Sequence, residues 1–276
     1  MKRAFVCCLI VSFLFSLFSC TQPSAPHAQE TPDADDLSLQ TPVHPQNAEE
    51  VSIIAQDGYT YTARIENGKA ILTSIRYGMY FSKESDEPLV LPSSIGGYPV
   101  TEIEGSLYRL RAKEVLLPET LENFPGFYRG SATTVFLPKN VKEVGQISYK
   151  CALSEVRVDE ENLYFTAVDG ILYDKKMTKL NGFPEAKSLD VYELPDTVTE
   201  IDSAAFGRVI RIGRFVIGEQ VTNIGEGLLY GVTDYRDGFT LVVKEGSYAH
   251  TYFEEHLKDE VISDFAQEVC LEVVKA

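Results

Sequence analysis

The residue types that carry out chemistry are few in this chain, and their spacing is poor. Of four histidines, His27 and His44 lie in a proline-rich stretch, while His250 and His256 stand six apart. That interval does not place both on one ligand face as an i,i+4 pair would, so surface or partly packed histidines are the simpler reading. The five cysteines are Cys7, Cys8, Cys20, Cys151 and Cys270, with no zinc-binding interval among them. A Cys151–Cys270 disulfide would need an oxidising compartment, and two buried thiols acting as small hydrophobes is the simpler reading. The acidic run Asp159-Glu160-Glu161 offers oxygens of the kind calcium takes, but a solvated turn is its ordinary meaning. No Gly-x-Ser-x-Gly elbow, phosphate loop or dinucleotide fingerprint occurs. The expectation is binding without a catalytic site, cofactor or metal.

The elements around these residues give the chain its organisation. Lys2 and Arg3 precede an uncharged, mostly apolar run from Ala4 to Phe18, which suits a secretory signal and is short for a membrane-spanning helix. Leu17-Phe18-Ser19-Cys20 resembles the lipobox of bacterial lipoproteins, in a relaxed form because Phe18 is bulky. The resemblance implies cleavage after residue 19 and acylation of Cys20. Several acyl chains on one residue anchor a protein far better than one chain does. Residues 20–50 read as a tether: Pro23, Pro26, Pro32, Pro42 and Pro45, with no Lys, Arg, Phe, Tyr or Trp. Such a composition cannot bury a core, and fully extended it would reach roughly 90 Å at about 3.1 Å per residue. The expected location is the bacterial cell envelope, lipid-anchored at the outer membrane or cell surface.

The formal net charge is −16, from 25 basic and 41 acidic residues. An acidic chain without a basic stripe in its sequence is unsuited to nucleic acid, so none is expected as a partner.

Internal repetition decides the fold class. An apolar-x-Leu-Pro signal recurs at Leu89-Val90-Leu91-Pro92, Val115-Leu116-Leu117-Pro118, Val135-Phe136-Leu137-Pro138 and Tyr192-Glu193-Leu194-Pro195. Phe215-Val216-Ile217-Gly218 is a degenerate copy, and Val156-Arg157-Val158 has the strand pattern without the proline. A second block follows at Val100-Thr-Glu-Ile103, Leu121-Glu-Asn-Phe124, Val141-Lys-Glu-Val144, Val198-Thr-Glu-Ile201 and Val221-Thr-Asn-Ile224. Three copies continue into an apolar pair, at Leu107-Tyr108, Ala205-Phe206 and Leu228-Leu229. No single turn of this kind buries its own face, so the turns must stack into one continuous core.

This pattern resembles the BspA-like, treponemal-type leucine-rich-repeat surface proteins, whose repeats read Leu-Pro-x-x-Val-x-x-Ile-Gly-x-x-Ala-Phe. Leu194 to Phe206 departs from it only at Asp202. Gly97 to Ile103 resembles the family's first repeat, residues 165–184 its hairpin insertion, and Gly246 to Tyr252 its terminal helix. The resemblance covers residues 91–257. Phe124-Pro125 replaces Ile-Gly, and neither that repeat nor the next carries Ala-Phe, so those turns are expected to be irregular. The expected fold is therefore a mostly β leucine-rich-repeat solenoid. A capping hairpin at 51–90 turns at Asn67-Gly68, repeats occupy 91–245 with an insertion at 159–188, and a helix and strand cap the end at 246–276.

In a strand such as Val115-Leu116-Leu117 alternate residues point inward, which leaves one outward row of Leu116, Phe136, Arg157, Glu193 and Val216. Apolar groups rimmed by charge mark interfaces, although β-branched and aromatic residues also simply favour strands. Tyr164, Phe165 and Tyr173 in the insertion are a second candidate, with core filling as their simpler role. The resemblance implies an adhesin or protein-interaction module whose partner is a host-matrix or envelope protein. The other reading is a structural or accessory envelope lipoprotein that scaffolds bacterial components or captures a glycan.

Overall fold

The structure is a computed structural model that describes residues 49–54, 59–77, 87–207, 209–226, 228, 234–235, 239–257 and 269–275. The chain divides into two compact units, Met1–Pro32 and Asp33–Ala276, and all described residues belong to the second. The signal at 1–19, Cys20 and nearly all of the tether lie outside the described residues.

Each turn contributes short strands to three separate parallel ladders. The Leu-Pro signals form the first: Leu89–Val90, Glu114–Leu116, Thr134–Leu137 and Glu155–Val158. The Val-x-x-Ile blocks form the second, through Tyr98–Ile103, Asn123–Phe124 and Glu143–Val144. The third joins Leu107–Tyr108, Phe127–Tyr128 and Ser148–Tyr149. Beyond the insertion the first ladder resumes in Leu189–Glu193, Ile212–Ile217 and Thr240–Lys244. The second resumes in Glu200–Ile201 and Asn223–Ile224, and Val209–Ile210 pairs with Asp234–Tyr235.

The repeated proline has a local cause. Having no N–H to give, it ends the strand, while its carbonyl accepts from the residue three positions on: Leu121 N to Pro118 O at 2.9 Å, Val141 N to Pro138 O at 3.2 Å, Val198 N to Pro195 O at 2.9 Å. The same turn in each repeat swings Leu121, Val141, Val198 and Val221 fully into the core, and burying such a side chain is worth about 1.5–3 kcal/mol.

Tyr59–Glu66 and Lys69–Tyr77 form an antiparallel hairpin around Asn67-Gly68, both at positive φ. Tyr59, Tyr61, Ala63 and Ile65 face inward. A third strand, Glu49–Ile54, pairs along the hairpin's free side, so Glu49 and Glu50 are strand residues rather than tether. At the other end the helix Tyr248–His256 starts at Ser247, whose side chain accepts from His250 N at 3.1 Å, as an N-cap does. Cys270–Val274 adds a parallel strand to Thr240–Lys244. Its register puts Cys270 beside Thr240 on the outward side of the last strand, so Cys270 is exposed and not the buried thiol expected. Cys151 is partly buried, and that burial pushes its thiol up to about 11. Both cysteines are free.

The insertion divides the interior. Phe165–Val168 and Ile171–Asp174 form a hairpin, and Lys179–Gly182 pairs back onto it before joining Glu200–Ile201 in the second ladder. Leu172 belongs to a core that runs from the cap to Val156, whereas Ile171 and Tyr173 belong to one that runs on to Val269. One strand thus forms the wall between two cores.

Candidate binding surface

The first ladder presents its alternate residues outward, and its register fixes which of them are neighbours. Leu116 pairs with Phe136, Phe136 with Arg157, and Val90 precedes Leu116 in the same row. Their inward neighbours Val115, Val135 and Val156 are buried, Leu116 and Phe136 are half-buried, and Val90 is 50% exposed. Glu193 and Val216 pair with each other in a separate sheet. The five residues therefore do not form one row. The break lies between Arg157 and Glu193, because the insertion occupies the place of a further strand: Val156 N donates to Gly170 O of the hairpin turn at 3.0 Å.

At that break lies an open groove of about 780 Å³, lined by Ser154, Glu155, Arg157, Asp169, Lys187 and Ser188 among others. Arg157 Nε donates to Glu155 Oε1 at 2.8 Å, and its Nη1 lies 3.8 Å from Glu114 Oε1. The Arg157 guanidinium holds the Glu155 carboxyl below the usual carboxylate range through that hydrogen bond. The groove thus holds an exposed arginine–glutamate ion pair. The second row is less open. Val242 continues it beyond Val216 yet is buried, and the Arg214–Glu272 pair, at 2.8 and 2.9 Å, bridges across the strand that carries it. Before the insertion, the outward apolar row of the first ladder is Val90, Leu116 and Phe136, ending on Arg157, and Val191 is the exposed apolar residue of the second row. Val90 was missing from the expected row, although strand alternation in the opening Leu-Pro signal could have placed it there. The groove was not, since Asp169 and Lys187 reach it only through the insertion.

Phe165 and Tyr173 are core residues, and only Tyr164 of the insertion's aromatics stands in solvent, beside Leu163 at 77% exposure. The acidic run is a turn: Asp159 Oδ1 accepts from Glu161 N at 2.8 Å, and Glu161 pairs with Lys139 at 3.3 Å. His256 stacks on Tyr252 with ring centroids 3.9 Å apart, and His250 Nε2 lies 3.9 Å from Glu254. Among the described residues no group of three or more His, Cys, Asp or Glu converges to hold a metal.

Among the described residues these stacked turns form a mostly β solenoid of about six turns with one short helix. No family model and no curated protein matches it. Among solved structures it is similar to a leucine-rich repeat protein from Eubacterium ventriosum, at 16% identity over 71% of this chain and 79% of that one, with a TM-score of 0.33. A leucine rich cell surface protein from Faecalibacterium prausnitzii is similar at 12% identity over 68% and 77%, with a TM-score of 0.35. The pneumococcal vaccine antigen PcpA is similar at 13% identity over 83% and 100%, with a TM-score of 0.26.

Proposed function

We propose that this chain is a BspA-like, envelope-anchored binding protein, held by lipid on Cys20 and presenting the first ladder's outward face to a protein partner as a surface adhesin does. The observation that carries the reading is the in-register row Val90, Leu116 and Phe136. It is apolar, exposed at Val90 and half-exposed at Leu116 and Phe136, and bordered by the Arg157 groove. Apolar anchors beside a polar rim are the usual anatomy of protein interfaces. The Cys20 motif supports the anchor, and the absence of a convergent nucleophile–base pair at the groove favours binding over catalysis.

The test is binding of the full chain, purified in detergent, to an array of matrix proteins, glycans and envelope extract, with Phe136→Asp in parallel. Saturable binding to a matrix protein, lost at least tenfold in a Phe136→Asp variant of unchanged circular dichroism, is the expected result. Binding confined to envelope extract and indifferent to the substitution would establish the scaffold reading instead.

A further inference from the structure

The third ladder carries a feature on a different side of each turn from the Phe136 row. Tyr108, Tyr128 and Tyr149 are register partners in adjacent parallel strands. Their rings stack, with centroids 5.7 Å apart at 29° and 5.2 Å apart at 11°. Each tyrosine is followed by a cation, Arg109, Arg129 and Lys150, which lies over its ring at 5.1, 5.5 and 5.7 Å. All three cations adopt positive φ, 53°, 55° and 53°, where glycine or asparagine would fit with less strain. The repeat is thus structural as well as chemical: three tyrosine–cation rungs, two with arginine and one with lysine, at the strand spacing of about 4.8 Å.

The three cations stand close together without an acid between them. Elsewhere Arg64, Lys69, Lys142, Arg157, Lys179 and Arg214 each meet an acid. Among the described residues no carboxylate pairs with Arg109, Arg129 or Lys150, although the chain holds 41 acidic residues. Three neighbouring like charges repel one another, and an anionic ligand running along them would relieve that repulsion.

We propose that this tyrosine–cation ladder is a docking site for a linear polysaccharide bearing a carboxylate on each sugar. A periodic site selects a periodic ligand, and the rise of one sugar along an extended glycan is close to one strand spacing. An extended peptide repeats its side chains on one face at roughly 6.6 Å, two residues at a time, and falls out of step with the rungs. Single-stranded nucleic acid binds by stacking bases on free ring faces, and here the faces are occupied by neighbouring rings and by the cations. Arginine forks match carboxylates, while the tyrosine hydroxyls are available to sugar hydroxyls. The site is independent of the Phe136 surface.

Binding of oligogalacturonates to the full chain in detergent, measured by calorimetry at low salt, tests this. The comparison ligands are neutral dextran, polyglutamate and single-stranded DNA of equal charge. The expected result is saturable oligogalacturonate binding that strengthens with length up to about the three sugars that span the rungs. It should fall at least tenfold in Arg109→Gln/Arg129→Gln/Lys150→Gln and hold in Lys176→Gln/Arg211→Gln/Lys275→Gln, which removes the same charge from other exposed positions. Glutamine keeps the backbone demand of arginine, and circular dichroism checks that both variants fold. Equal binding by polyglutamate or DNA, equal loss in both triple variants, or no oligogalacturonate binding would each overturn the proposal.

Discussion

Asn162 is fully buried, and both polar atoms of its side chain are occupied. Its Nδ2 donates to Pro138 O and Val141 O, each at 2.9 Å, and its Oδ1 accepts from Tyr164 N and Phe165 N, each at 2.8 Å. One side chain therefore satisfies four backbone groups and clamps the start of the insertion to the preceding Leu-Pro turn. Each such bond nets about 1 kcal/mol, and a buried partner left unpaired costs more. Asn162→Ala should destabilise the chain by about 2–4 kcal/mol, read as a lower urea midpoint with circular dichroism. Asn162→Asp should do so as well, since a carboxylate cannot donate to the two carbonyls. A change below half a kilocalorie would remove the clamp from the account. Nothing in Glu160-Glu161-Asn162-Leu163 distinguishes this residue from a solvated polar turn. The partners that define its role lie some twenty residues away, and no local pattern points to them. The outward positions of Leu116 and Phe136 were legible, because strand alternation is a local rule.

Among the elements, the first two ladders could be read from their proline and Val-x-x-Ile signatures, whose spacing is set by the turn that Pro118, Pro138 and Pro195 open. The third was legible only at Leu107-Tyr108. Phe127-Tyr128 and Ser148-Tyr149 lack the Ala-Phe signature, and the turns expected to be irregular there instead join the ladder in register. The reason is close packing: Phe127 is fully buried and Phe127 N donates to Ile147 O at 3.1 Å. Gly126 permits that approach. It has φ +93°, and a Cβ there would overlap the carbonyl oxygen of Gln146 in the next turn. Gly105 is also at positive φ, +70°, but a Cβ there would meet nothing within 4 Å. The pair separates the two costs of replacing glycine. Gly105→Ala should lose about 1 kcal/mol, from backbone strain alone, while Gly126→Ala should lose about 4 kcal/mol or more because the ladder itself must shift. Denaturant midpoints of the two variants measure the difference, and similar values would mean that the turns are not tightly stacked at Gln146.

For the molecule as a whole, the insertion could be recognised as a gap in the repeats, but its effect could not. The resemblance implied a hairpin at 165–184, and Phe165–Val168 and Ile171–Asp174 form one; what the repeat alignment could not show is how that hairpin joins the stack. In the structure Lys179–Gly182 becomes a strand of the second ladder and Ile171–Asp174 separates two cores. That separation breaks the expected five-residue row and opens the Arg157 groove. The halves meet along this strand, where Ile147 packs closely on Gly182, and through hydrogen bonds, among them Gln146 Nε2 to Phe206 O at 2.9 Å and Ala186 N to Leu153 O at 2.8 Å. In a stacked repeat protein stability is a sum of neighbour terms, so weakening one end need not open the other. Leu121 and Leu241 are fully buried, one in each core, and either leucine replaced by alanine should cost about 2–5 kcal/mol. Amide hydrogen exchange read by mass spectrometry should then respond locally. Leu241→Ala should speed exchange in the strands from Leu189 to Lys244 while leaving those from Tyr98 to Val158 near their original rates, and Leu121→Ala should do the reverse. Uniform acceleration along the chain in both variants would show that the hairpin couples the two cores into one cooperative unit. The groove between them would then be a rigid feature rather than the seam at which the molecule yields first.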